Sequence, residues 1–161
     1  MHQFRVTKYD PAFRDAAGAY TQHDWTSFSD IGRLFGGVTL SDVEYLRVES
    51  AYIETAMKFF REDNAPALRV VGIENSIRSG NAPTEGLLLS VEDLANVCRS
   101  VLRDEFWCRF EAGGRFLHFG YDYYMYVGVK NDCASAIRAA QEMGLFVERF
   151  ASPYSQADQE A

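Results

Sequence analysis

The sequence predicts an α+β domain, a mixed and mainly antiparallel sheet with about three helices packed on one face. Three observations lead there. Segments of period two, rich in aromatic and β-branched residues, are interspersed with three stretches of helical period. Gly113-Gly114 joins two of the strands as a hairpin. The resulting order, strand-helix-strand-helix-three strands-helix-strand, fits neither a repeat array nor a doubly wound sheet.

Phe4 to Tyr9 alternates and stops at Asp10-Pro11. From there to about Leu40 the chain is irregular, with Gly18, Gly32, the pair Gly36-Gly37 and at most a helical turn near Ser29 to Leu34. A connection of roughly 30 residues is long for a compact domain, and such loops usually carry function or unrecognised structure. Ser41 and Glu44 form a capping box ahead of Tyr45, Leu46, Tyr52, Ile53, Ala56, Met57 and Phe60, so a long helix starts there and ends before Pro66. Leu68 to Glu74 reads as a strand, and Ser76 to Glu85 as a surface loop.

Ser90 caps a second helix, with Val91, Leu94, Ala95, Cys98, Val101 and Leu102 as its apolar stripe and an end near Asp104. Phe106, Cys108 and Phe110 then alternate with Trp107, Arg109 and Glu111, and the glycine pair leads on to Phe116 to Phe119. A tyrosine-rich strand from Tyr121 to Val127 follows. Asn131 caps a third helix over Asp132 to Met143, Gly144 ends it, and Leu145 to Phe150 is the last strand. Residues 1–155 form one domain, and 156–161 read as a loose tail.

The 161 residues carry a formal charge of -7. That balance argues against general nucleic-acid binding and favours encounter with a basic partner. Cys98, Cys108 and Cys133 make no C-x-x-C pair, which fits a reducing cytoplasm better than a disulfide framework or zinc knuckle. There is neither a signal-peptide pattern nor an apolar run long enough to span a bilayer, so a cytoplasmic location is expected.

Motifs for common chemistries are missing. No Walker or G-x-G-x-x-G sequence occurs, and Gly36-Gly37 reads as a plain turn. His2, His23 and His118 lack metal-ligand spacing; only folding could bring His23, Asp24 and Asp30 to His118. Cys133 lies near a helix start, where a thiolate is favoured, yet no histidine adjoins it. No cofactor, metal or catalytic residue is therefore assigned.

Three features remain as candidates for function. Glu49 sits on the apolar stripe of the first helix, where a charge must be paired; the expected partner is an arginine or tyrosine hydroxyl, and the alternatives are a general acid or base, or exposure at the edge of the stripe. In the tyrosine strand, period two places Tyr121, Tyr123, Met125 and Val127 toward the helices and Asp122, Tyr124 and Tyr126 on the other face. An acid beside two aromatics has the composition of a recognition patch if open, and the long N-terminal loop is the expected cover if it is not. The loop segment with Asp24, Trp25 and Asp30 adds a tryptophan between acids, a core plug if buried and an anchor if exposed.

Two blocks carry a resemblance: Lys8-Tyr9-Asp10-Pro11 through Trp25-Thr26-Ser27-Phe28-Ser29-Asp30-Ile31-Gly32, and His118-Phe119-Gly120-Tyr121-Asp122-Tyr123-Tyr124 through Gly144-Leu145-Phe146-Val147-Glu148. Together they resemble small bacterial immunity proteins of contact-dependent and polymorphic toxin systems. The resemblance implies a cytosolic protein that binds one cognate toxin domain and blocks it by stoichiometric occlusion, without a cofactor. On that reading Asp24, Trp25, Asp30, Asp122, Tyr124 and Tyr126 are the expected contacts, with a basic toxin domain, such as a nuclease, as partner. The alternative is a small enzyme or ligand-binding domain whose pocket is lined by Glu49, His118 and tyrosines.

Overall fold

The six expected strands and a short unexpected one, Leu88–Leu89, assemble into one seven-stranded sheet in a computed structural model that describes residues 1–155; the expected tail, 156–161, lies outside the described residues. In chain order its strands are β1 (His2–Thr7), β4 (Leu68–Glu74), β5 (Leu88–Leu89), β6 (Trp107–Ala112), β7 (Arg115–Phe119), β8 (Tyr124–Val129) and β9 (Phe146–Arg149). Their spatial order is β5-β4-β6-β7-β8-β1-β9, and every pairing is antiparallel. A separate two-stranded ribbon, β2 (Leu34–Phe35) and β3 (Val38–Thr39), turns at Gly36-Gly37, both at positive φ as a tight hairpin turn requires.

The helices are α1 (Asp42–Glu62), α2 (Leu94–Leu102) and α3 (Ala134–Glu142). Ser41 caps α1 by accepting the Glu44 N–H, as the box predicts, while the Glu44 carboxylate turns to Arg47. The inner sheet face, with Phe4, Val6, Val70, Cys108, Phe110, Leu117, Phe119, Met125 and Val127, merges with the buried stripes of α1 and α2 into one core. Phe4 meets Phe59 of α1 at 5.4 Å between ring centroids.

The opposite face carries the alternate residues: Arg5 and Thr7 of β1, Arg109 and Glu111 of β6, Phe116 and His118 of β7, Tyr124, Tyr126 and Gly128 of β8. Phe116 lies across Gly128, where an added Cβ would stand 2.4 Å from its ring. Gly128→Ala should therefore cost about 1 to 3 kcal/mol by overpacking. Denaturant unfolding measures this, and Phe116→Leu in the same chain should recover part of the loss because the two sites share one contact.

The tyrosine strand is shorter than its sequence suggests. It begins at Tyr124, and Asp122 and Tyr123 form a turn at φ 62° and 65°. Period two fails across that turn. Tyr121, expected inside, is 74% exposed, whereas Tyr123, Met125 and Val127 are buried as expected.

Candidate functional site

The Asp122-Tyr123 turn holds two consecutive left-handed residues, a conformation that costs a bulky side chain about 1 to 3 kcal/mol and persists only where its surroundings fix it. Other tyrosines do the fixing. Tyr9 donates its hydroxyl to the Asp122 carbonyl at 2.6 Å, and Tyr52, which accepts the Lys8 N–H, donates to the Tyr123 carbonyl at 2.7 Å. The Tyr123 hydroxyl meets that of Tyr45 and reaches the Leu102 carbonyl. Burial pushes the phenols of Tyr9, Tyr45, Tyr52 and Tyr123 well above their ordinary range, so all remain neutral hydrogen-bonding groups.

Glu49 closes this network. It is 2% exposed and accepts from Tyr45 at 2.7 Å and from both arms of the Arg103 guanidinium at 2.8 and 3.0 Å, with Arg99 at 3.4 Å. The arginine and hydroxyl partners are those the buried charge demanded. Glu49 thus ties α1 to α2 beneath the turn.

His118 stands on the other side of the sheet. The segment after β9 folds back over that face: Phe150 donates its N–H to the Gln3 carbonyl, Ser152 donates its N–H to the Gln3 side chain, and Tyr154 packs against Trp107 and Tyr126. Ser152 Oγ lies 2.8 Å from His118 Nδ1, and Glu111 lies 3.2 Å from Nε2. A serine, a histidine and a carboxylate in a row have the components of a hydrolase relay, which sequence spacing did not reveal. Ser152 is only 3% exposed and its Oγ also accepts the Tyr154 N–H, so this row pins the C-terminal segment. Among the described residues Glu49 and His118 lie on opposite sides of the sheet, so they do not share the pocket of the alternative reading. Nor does His118 meet His23, whose ring packs on Phe35.

The expected contact residues divide. Trp25 is the core plug, packed on Tyr45 and Tyr123. Asp30 is buried, accepting from the Thr26 N–H and pairing with Arg33. Asp24 pairs with Lys8 at 2.8 Å, and Tyr126 is covered by Phe150 and Tyr154. Tyr124 is half-buried between Arg5 and Arg14, which both reach Glu148. Asp122 alone of the six is exposed, so they do not make one open patch.

A different set gathers at the end of the sheet beside Asp122. A cavity of about 250 Å³ is lined by Glu74, Asp104, Glu105, Phe106, Trp107 and Tyr121, among others. A second, of about 320 Å³, shares Glu74, Trp107 and Tyr121 and adds Gly72, Arg109 and Tyr154. A bulge in β4 between Val71 and Glu74 shapes this end, and the Glu85 carboxylate satisfies the freed N–H groups of Gly72 and Ile73 at 2.8 and 3.1 Å. Partial burial pushes the Asp104 carboxyl up, the Ser27 hydroxyl offsets part of this, and the Asp122 charge adds to it. Among the described residues, Glu74, Asp104, Asp122 and Glu105 have no cationic partner within ion-pair distance, a state they share with carboxylates elsewhere such as Asp10, Asp42 and Glu142, whereas Asp24, Asp30, Glu44, Glu49, Asp63, Glu92, Glu111 and Glu148 are paired.

Sequence could place Trp107 on an exposed face, but the bulge and the left-handed turn that bring Tyr121, Glu74 and Asp104 to it leave no periodic signal. The cysteines take no part: all three are buried, and burial pushes the thiols of Cys108 and Cys133 up to about 12. Among the described residues no group of three metal-ligating side chains converges, and no helix is long and apolar enough to cross a membrane.

The fold and this edge define an α+β protein with an acidic, aromatic rim on one end of an antiparallel sheet. Comparison with protein-family models, with curated proteins and with solved structures finds no match.

Proposed function

We propose that this chain is a cytoplasmic immunity protein that binds a basic toxin domain and neutralises it by stoichiometric occlusion, using the acidic rim rather than the patch expected from period two. The observation that carries the reading is the gathering of carboxylates without cationic partners among the described residues, Glu74 and Asp104 at one cavity and Asp122 close enough to Asp104 to push its carboxyl up, beside the exposed ring of Tyr121. Such a rim attracts a basic surface over distance and then supplies an aromatic anchor. The net charge of -7 and the resemblance to immunity proteins support the same reading.

The test is co-expression with the variable C-terminal domain of a large secreted protein encoded immediately upstream. Cells should survive, and the purified pair should form a one-to-one complex. The triple variant Glu74→Gln, Asp104→Asn, Asp122→Asn should slow association about tenfold or more at low salt and flatten its salt dependence. Asparagine tolerates the left-handed backbone at 104 and 122, so the fold should be retained. If the chain neither protects cells nor binds the domain, the proposal fails.

A further inference from the structure

The cavity of about 320 Å³ between the β4 bulge and Tyr154 is more than an indentation in the rim. Its walls are the rings of Trp107, Tyr121 and Tyr154, with Trp107 and Tyr154 at 5.5 Å between centroids. Trp107 is locked in place because its indole N–H donates to the Phe119 carbonyl at 2.7 Å. The floor is the bulge. Gly72, at φ +66°, leaves the space over which Arg109 lies, 3.4 Å from where a Cβ would stand. Arg109 is engaged by its own chain, donating to the Tyr154 carbonyl at 3.3 Å and standing 3.6 Å from Glu111. Glu74 is the lining carboxylate, and among the described residues it makes no ion pair.

A cavity lined by three aromatic rings and a carboxylate, with the charge of its one lining cation, Arg109, turned to the Tyr154 carbonyl and Glu111, suits a cation that is flat and weakly hydrated. A guanidinium satisfies both demands, since it stacks on ring faces and offers a carboxylate two parallel N–H groups. An ammonium gains less, because it is strongly hydrated and makes no planar stack. We infer that this cavity is an anchor site for an arginine side chain presented by the partner. The inference rests on the reading of the rim as a docking surface for a basic protein, and it adds which residue type the partner inserts and where.

The site can be tested without any toxin by titrating the protein with N-acetyl-arginine amide and following the indole N–H resonances. Trp107 lines the cavity, whereas Trp25 is buried in the core and serves as an internal reference. The Trp107 signal should shift in a saturable way while that of Trp25 stays put. Tyr121→Ala, at an exposed position, should weaken binding about tenfold, and Glu74→Gln about fivefold. Thermal unfolding should report both variants as folded as the parent.

Absence of a Trp107 shift up to roughly 50 mM probe overturns the inference. So does an equal response to N-acetyl-lysine amide, or a response to N-acetyl-glutamate amide alone. The two proposals fail separately. A toxin domain bound and neutralised equally well by the Tyr121→Ala and Glu74→Gln variants removes the arginine anchor and leaves the immunity reading standing. A saturable arginine site in a chain that protects against nothing does the reverse.

Discussion

Asp63→Asn should destabilise the protein by about 3 to 5 kcal/mol, the loss expected when one partner of a buried, hydrogen-bonded ion pair is removed. Asp63 is 1% exposed at the C-terminal end of α1. Its carboxylate takes the Arg115 guanidinium from β7 and the N–H groups of Lys130 and Asn131 at 3.0 and 2.8 Å from the chain leaving β8. One carboxylate thus joins the long helix to two strands. An asparagine presents a single acceptor oxygen there, leaves Arg115 without its counter-charge, and points an amide at backbone donors.

Burial raises the Asp63 pKa, but Arg115 and the two backbone N–H groups outweigh it and hold the carboxyl below its ordinary value. For a depressed acid, the folded state binds fewer protons than the unfolded one. Its stabilisation is therefore complete above the unfolded aspartate value of about 4 and disappears as pH falls through the lower folded value. Denaturant midpoints measured from neutral pH down to about pH 2 should fall more steeply for the parent than for Asp63→Asn, and the two curves should converge in acid. Parallel curves would show that Asp63 carries none of the acid sensitivity.

Glu49→Gln should cost about 2 to 4 kcal/mol. The amide keeps the shape of the side chain but loses the charge that Arg103 grips with two hydrogen bonds, and one arm of the fork would face an N–H group. The position also separates a structural role from a functional one. Glu49 is closed off by Tyr45, Arg99 and Arg103, so partner binding by the folded variant, measured well below its unfolding temperature, should match the parent. Undiminished stability accompanied by lost binding would assign Glu49 to the interface instead.

Where a side chain's role follows from its own neighbourhood in sequence, the chain could be read directly. The Ser41 cap, the stripe of α1, the hairpin between β6 and β7 and the need for a partner at Glu49 are of this kind. Elements of two residues, β2, β3 and β5, are too short to show a period. Two helices start beyond the expected cap, and at α3 a distant group takes the place of that cap. Ser90 bonds Asp93 in a turn that precedes α2, and α3 is capped by Glu62, which accepts the Ser135 and Ala136 N–H groups. Asn131 instead donates its N–H to Asp63.

The rim shows the same limit more sharply. Period two was sound from Met125 onward and misplaced Tyr121, because the left-handed pair at Asp122 and Tyr123 reverses the chain just before the strand begins. That pair is held by hydroxyls from Tyr9 and Tyr52, 113 and 71 residues away in sequence. No local rule reaches so far.

The place of β1 in the sheet has a consequence for biosynthesis. Its two neighbours are β8 and β9, so within this domain the first strand to be made is flanked only by the last two. Until β8 is made Phe4 and Val6 have no strand partner, and closure of the sheet waits for nearly the whole domain. The nascent chain thus carries an unpaired apolar strand through the period in which aggregation is most probable, which makes β1 the natural segment for a chaperone to hold.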